Sequence, residues 1–316
     1  MGRVGSNNRQ REFVKEYERL CSRNNRHQVW ADFVYMTAAA ISNAVDKRHA
    51  EHREEQYMTI VKKYTREELN VFPTLFALIV SGMEEYPDQD FLGELYMQLN
   101  LGNDKNGQFF TPYDVCKCMA MVTIESDVLR KRIERQGYIS INDCACGAGA
   151  TLIAAAMVLK DAFKDISFNY QQQALFIAQD IDYITALMCY IQLSLLGCAG
   201  YVRVGNTLTD PMVGHVLFGD GSENTWYTPM YFSEVWQMRR AIENVKSLFG
   251  KLSDAPAPIQ AEPSSTMDVT EKQQEEPLQQ PAEHAKPEPP PLEPTFTVST
   301  KKKNAGQMMF DFGGLL

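Results

Sequence analysis

The segment Asp143-Cys144-Ala145-Cys146-Gly147-Ala148-Gly149 sets a carboxylate ahead of a Gly-x-Gly turn. It stands where a short strand-like run, residues 139–142, gives way to a long apolar helix predicted over residues 150–159. A glycine turn in that position brings backbone N–H groups and a helix N-terminus close to a ligand, and an acid at the strand end accepts hydrogen bonds from its polar atoms. This is the chemistry of a nucleotide-type cofactor loop. A tight strand-to-helix turn with no ligand uses the same residue types.

About thirty residues upstream lies a second unusual segment, Asn106-Gly107-Gln108-Phe109-Phe110-Thr111-Pro112. The two together resemble the N6-adenine DNA methyltransferases, in particular the M subunits of type I restriction-modification systems. That family carries Gly-Gln-Phe-(Phe/Tyr)-Thr-Pro ahead of Asp-Pro-Ala-Cys-Gly-(Ser/Thr)-Gly. The present loop departs at Cys144 and Ala148 but keeps the acid and both glycines. The resemblance implies that S-adenosylmethionine is held by Gln108, Phe109, Phe110, Thr111 and Pro112 together with Asp143, Cys146, Gly147, Ala148 and Gly149.

Individual roles follow from the same resemblance, each beside a plainer alternative. The Gln108 to Pro112 loop folds over the methionine end of the cofactor, where the Thr111 hydroxyl meets its carboxylate. Thr111 could equally N-cap the next helix, with Pro112 at its first position. Phe109 and Phe110 are core or a platform beside the ligand. Asp180, ending the next apolar run, is assigned to the ribose hydroxyls, whereas Asp182 suits the N-cap of the helix starting near Tyr183. Gly205-Asn206-Thr207-Leu208 is similar to the family's Gly-Asp-Thr-Leu, which puts Asn206 near the adenine or, alternatively, in a simple strand-end turn.

The family's catalytic tetrapeptide, (Asn/Asp)-Pro-Pro-(Tyr/Phe), orients the target amine and stacks on the flipped base. No intact copy occurs. The nearest match at the expected distance is Thr228-Pro229-Met230-Tyr231, which keeps one proline and the ring and offers a hydroxyl in place of the amide. Thr228, Pro229 and Tyr231 are therefore the catalytic candidates. Family members continue with three or more further strands, whereas here one helix, residues 232–249, precedes a change of composition.

The elements that must position these groups divide the 316 residues into four parts. Residues 1–100 are predicted helical, with apolar residues at three- and four-residue intervals over 11–20, 30–48, 57–64 and 71–85. Residues 101–252 alternate strands and helices and form the cofactor domain. Residues 253–300 hold ten of the fifteen prolines and few apolar groups, the composition of a disordered tether. Residues 301–316 run from Lys301-Lys302-Lys303 to Gln307-Met308-Met309-Phe310-Asp311-Phe312, which resembles peptides that dock on the bacterial sliding clamp.

The net charge of -9 divides into about -5 for residues 253–316 and about -4 for the remainder. Neither part is basic overall, which argues against a long duplex held through many phosphates by the body alone. Seven cysteines, no signal peptide and no long apolar run indicate a soluble cytoplasmic protein without disulfides. The pairs Cys116/Cys118 and Cys144/Cys146 lack the commoner structural zinc spacing, and no metal is expected.

The expected fold is α/β, a doubly wound, mainly parallel sheet behind a helical N-terminal domain. The implied reaction is methyl transfer from S-adenosylmethionine to adenine N6 in DNA, on a flipped base. The alternative is a catalytically inactive cofactor-binding accessory factor for DNA processing. The partners implied are DNA, a specificity or other DNA-binding subunit, and the clamp through Gln307 to Phe312; no membrane is implied.

Overall fold

The computed structural model describes residues 8–102, 110–162 and 168–253. Helices α1 (Asn8–Cys21), α2 (Arg26–Val45), α3 (Ala50–Val61), α4 (Arg66–Leu69), α5 (Val71–Glu85) and α6 (Phe91–Gln98) come first. Then follow α7 (Tyr113–Thr123), α8 (Ser126–Gln136), β1 (Ile139–Asp143), α9 (Ala150–Ala162), α10 (Tyr170–Gln173), β2 (Ala174–Asp180), α11 (Tyr183–Leu195) and β3 (Ala199–Val204). The last elements are β4 (Thr225–Tyr227), a 3-10 turn (Pro229–Phe232) and α12 (Glu234–Ser253).

The strands form one sheet in the order β1-β2-β3-β4, parallel from β1 to β3, with β4 antiparallel to β3. Side-chain alternation assigns the two faces. Phe176, Ala178, Val202 and Trp226 join the large core beneath α2, α9 and α11. Leu175, Ile177, Ala199, Tyr201 and Tyr227 turn the other way, onto Trp236 of α12. Among the described strands the order never reverses, so the doubly wound arrangement is not what these residues display. What is present is a largely helical α/β fold on a four-stranded mixed sheet.

The boundary expected at residue 100 does not separate two cores. Helix α2 is buried along nearly its whole length and packs on α11. Tyr35 stacks on Tyr183 at 6.3 Å and meets Trp226 edge-on at 6.1 Å. Arg53 of α3, 2% exposed, reaches into the same layer. It bonds Asp46 Oδ2 at 3.0 Å and the Thr225 carbonyl at 3.1 Å, with its guanidinium 4.0 Å over the Trp226 ring. Burial pushes the Asp46 carboxyl up, but His49 and Arg53 more than offset this and hold it below its usual value.

Local signals account for the element ends. Asn25 caps α2 through Gln28 N–H, and Thr65 with Glu68 closes a capping box on α4. Helix α2 stops at Val45, short of the expected 48, because Asp46 turns extended to serve Arg53 and His49. Among the described residues no helix is long and apolar enough to cross a membrane.

Candidate cofactor site

The carboxyl ends of β1, β2 and β3 converge on the glycine loop. Asp143 ends β1 and turns its Oδ1 onto the Ala145 N–H at 3.1 Å, starting the loop. The loop is then tied to β2 twice, by Cys146 N–H to the Gln179 carbonyl at 3.0 Å and by Gly147 N–H to Asp180 Oδ2 at 2.7 Å. Gly147 and Gly149 both have positive φ, 51° and 98°. A Cβ on Gly149 would lie 2.8 Å from Cys189 Sγ, and one on Gly147 would lie 3.2 Å from the Phe110 ring. The glycines therefore meet both a backbone and a space requirement.

This gives the first testable consequence. Gly149→Ala, with a strained φ and no room against α11, is expected to destabilise the fold by about 1–3 kcal/mol. Thermal denaturation checks it, with Ala148→Gly as the neighbouring control.

Asp180 has more to do than the sequence suggested. Its Oδ1 accepts from Asp182 N–H at 2.9 Å and from the Thr185 hydroxyl at 3.3 Å, while Oδ2 holds Gly147. It therefore fixes the loop and leaves little acceptor capacity for a ligand hydroxyl. Asp182 caps α11 through Thr185 N–H at 2.8 Å, as its position implied.

On β3, Gly205 N–H bonds the Asp180 carbonyl at 2.8 Å, and the Thr207 hydroxyl bonds the Cys144 carbonyl at 2.5 Å. Asn206 spends its Oδ1 on Leu208 N–H at 2.9 Å, the geometry of a strand-end turn.

The structure thus brings together Phe110, Asp143, Cys146, Gly147, Ala148, Gly149, Asp180 and Asn206. Cys146 and Ala148 are buried, so their side chains pack inward and only their backbone lies in the loop. The Cys146 thiol is pushed well up by its bond to Cys189 and by burial. Phe110 stacks on Tyr96 with ring centroids 5.5 Å apart. Thr111 and Pro112 are exposed. Pro112, not Thr111, takes the N-cap position of α7, so the threonine hydroxyl plays no capping role. Gln108 and Phe109 lie outside the described residues, as do the tether and Gln307 to Phe312.

The catalytic candidates do not join this group. Because β4 runs antiparallel, with Arg203 opposite Thr225 and Tyr201 opposite Tyr227, the chain after it emerges at the amino end of β3. Thr228 is fully buried there, its Oγ1 donating to the Cys198 carbonyl at 2.7 Å and accepting from Gly200 N–H at 3.0 Å. Tyr231 is 5% exposed and donates to the Leu217 carbonyl at 2.8 Å. Pro229 starts the 3-10 turn. From Gly200 to Val204 the strand spans about 13 Å, whereas reacting groups must meet at about 3–3.5 Å. Strand polarity sets Thr228, Pro229 and Tyr231 apart from the glycine loop.

Three groups at or behind the site were given no role by the motifs. Ile181 and Leu208 follow Asp180 and Thr207 and are 69% and 92% exposed, apolar side chains flanking the loop. Gln192, fully buried in α11, donates to the Ala148 carbonyl at 2.9 Å and to Asp90 Oδ1 at 2.7 Å. Its Oε1 accepts from Leu92 N–H at 3.0 Å. A lone amide in the run Tyr190-Ile191-Gln192-Leu193 was the available signal.

Asp90, the N-cap of α6, also takes Gly93 N–H at 2.9 Å. Burial, with a smaller contribution from Glu94, pushes its carboxyl up to about 6 against the hydrogen bonds of Gln192 and Gly93. A raised acid favours folding when protonated. Its contribution is thus full below about 4 and falls as pH rises toward 6, by roughly 2–3 kcal/mol. Asp90→Asn keeps an acceptor for both donors. The variant's stability relative to wild type is expected to rise between pH 4 and pH 7, as read from urea midpoints.

A glycine loop at the carboxyl edge of the strands, with an acid on the adjoining strand, defines an α/β fold of the class whose ligands lie at that edge. Within that class, the family model for N-6 DNA Methylase matches residues 88–257, more than half of the chain. The chain belongs to this family of N6-adenine DNA methyltransferases. No curated protein and no solved structure gave a match.

Proposed function

We propose that the chain binds S-adenosylmethionine at the carboxyl edge of β1, β2 and β3 and does not, as a single chain, transfer its methyl group to adenine. The observation that carries this is the separation just described. The glycine loop, Asp143, Asp180 and Phe110 gather at one edge, while the 228–231 segment is buried at the other. In this reading, the N–H groups in the first turn of α9 receive polar cofactor atoms, while the loop N–H groups, bonded to Asp143, Gln179, Asp180 and Cys146, hold the loop in shape. Asp143 and the remaining acceptor capacity of Asp180 take the ribose hydroxyls. Ile181 and Leu208 supply apolar walls for the adenine. The methyl group and sulfonium chemistry belong to the cofactor; the residues bind and orient it.

A second reading, methyl transfer after assembly with another chain, draws on the outer edge of β1. That strand is the end of the sheet among the described residues, and Ser140 and Asn142 are exposed on it. Added strands there would give the doubly wound order and bring base-orienting groups to the cofactor edge. DNA would then be the substrate expected of the family.

Calorimetric titration with S-adenosylmethionine, paired with methyl incorporation into adenine-containing DNA, tests the proposal. Binding without incorporation is expected of the wild type, and Asp180→Ala is expected to weaken binding by about ten-fold or more through collapse of the loop. Incorporation by the isolated chain would overturn the first reading. Absence of binding would remove the cofactor site altogether.

A further inference from the structure

A cavity of about 450 Å³ opens beside β4, away from the glycine loop. Its lining includes three cations, Lys47 and Arg48 after α2 and Arg240 of α12. It also includes four rings, Phe218, Tyr227, Tyr231 and Phe232. The only carboxylate among its lining residues, Asp46, is already committed to Arg53 at 3.0 Å and His49 at 3.1 Å. The cations therefore outweigh the acid.

Arg240 is the central group. Its guanidinium lies 3.9 Å over the Tyr231 ring, and Nη2 donates to the Tyr231 carbonyl at 2.9 Å. Nη1 is buried and has no hydrogen-bond partner. A buried guanidinium nitrogen left without an acceptor costs stability unless something fills that place. The hydroxyls of Tyr227 and Tyr231 are spent on the Phe218 and Leu217 carbonyls, at 3.2 Å and 2.8 Å. These side chains therefore offer rings, not hydroxyls, to the cavity. Phe232 and Phe218 are half-buried and complete the wall.

Three cations around one unmet donor call for an anion with several acceptor oxygens, and a wall of rings calls for a flat π-system attached to it. We propose that this cavity binds a nucleotide unit, with its phosphate on Arg240, Arg48 and Lys47 and its base against Phe232 and Phe218. The source is either a free nucleotide or a unit of a single strand. The site is independent of the cofactor reading, since it shares no residue with the glycine loop.

The test uses the full chain and calorimetric titration with deoxyadenosine monophosphate, deoxyadenosine, inorganic phosphate and a short single-stranded oligothymidylate. The monophosphate is expected to bind at least about ten-fold more tightly than either deoxyadenosine or phosphate, because both halves contribute. Preference for the oligonucleotide over the monophosphate identifies a strand as the source, and the reverse identifies a free nucleotide. Lys47→Glu/Arg48→Glu changes two exposed side chains, so the thermal midpoint should hold while affinity falls by about ten-fold or more. Phosphate alone binding as well as the monophosphate would overturn the proposal. So would an unaltered affinity in the double variant, or no binding by wild type.

Discussion

Arg53→Ala is expected to lower the unfolding free energy by about 3–5 kcal/mol, read as a lower denaturant midpoint with an unchanged slope. The guanidinium is 2% exposed and holds Asp46 and the Thr225 carbonyl in one contact set. Removing it leaves the Asp46 carboxylate, also buried, with only His49 and the Arg48 N–H. It also strips a cation from the face of Trp226 and opens a cavity between α3 and β4. The cost belongs mainly to the abandoned charge. Arg53→Met with Asp46→Leu should therefore recover a large part of the loss. A change within about 1 kcal/mol in Arg53→Ala would mean that the ion pair does not join the helical layer to the sheet.

Gln192→Leu is the second substitution with a large expected effect, about 3 kcal/mol or more. Its side chain satisfies a donor and two acceptors on separate elements: Leu92 N–H, Asp90 Oδ1 and the Ala148 carbonyl. Leucine fills the volume but leaves all three buried groups without that partner. The glycine loop is one of the elements released, so cofactor titration should weaken along with stability. In a double-mutant cycle with Asp90→Asn, a coupling of about 0.5–3 kcal/mol is expected. Strict additivity would mean that the amide and the carboxylate act separately.

The alternation of strand and helix from Ile139 to Val204 was legible because each strand is a short apolar run and each turn carries Gly, Asp or Asn. The same signals located the glycine loop and its neighbour Asp180. They did not reveal what Asp180 spends its oxygens on, because a carboxylate near a glycine turn reads identically whether it binds a ribose or a backbone N–H.

The placement of the 228–231 segment was not legible for a different reason. Distance along the chain says how far a segment lies from a motif, not which way its strand runs. Tyr227 opposite Tyr201 is a pairing between residues 26 apart, set by tertiary packing. Gln192 and Arg53 were missed because their partners lie far away in the chain: Asp90 is 102 residues from Gln192, and Thr225 is 172 from Arg53. Gln192, isolated in an otherwise apolar helix, left a trace, whereas Arg53 stands in a charged run where nothing sets it apart.

The core that runs unbroken from α1 to β4 also bears on how the molecule comes apart. Tyr35 and Arg53 sit on helices that precede the matched family region, yet both lie against the Trp226 ring of the sheet. Loosening α2 would strip cover from Tyr183 and Trp226 at once, opening the β4 end of that sheet face. Residues 8–253 should accordingly melt in one cooperative transition, with helix signal and tryptophan fluorescence changing together. The glycine loop would share the fate of helices that precede it by about a hundred residues.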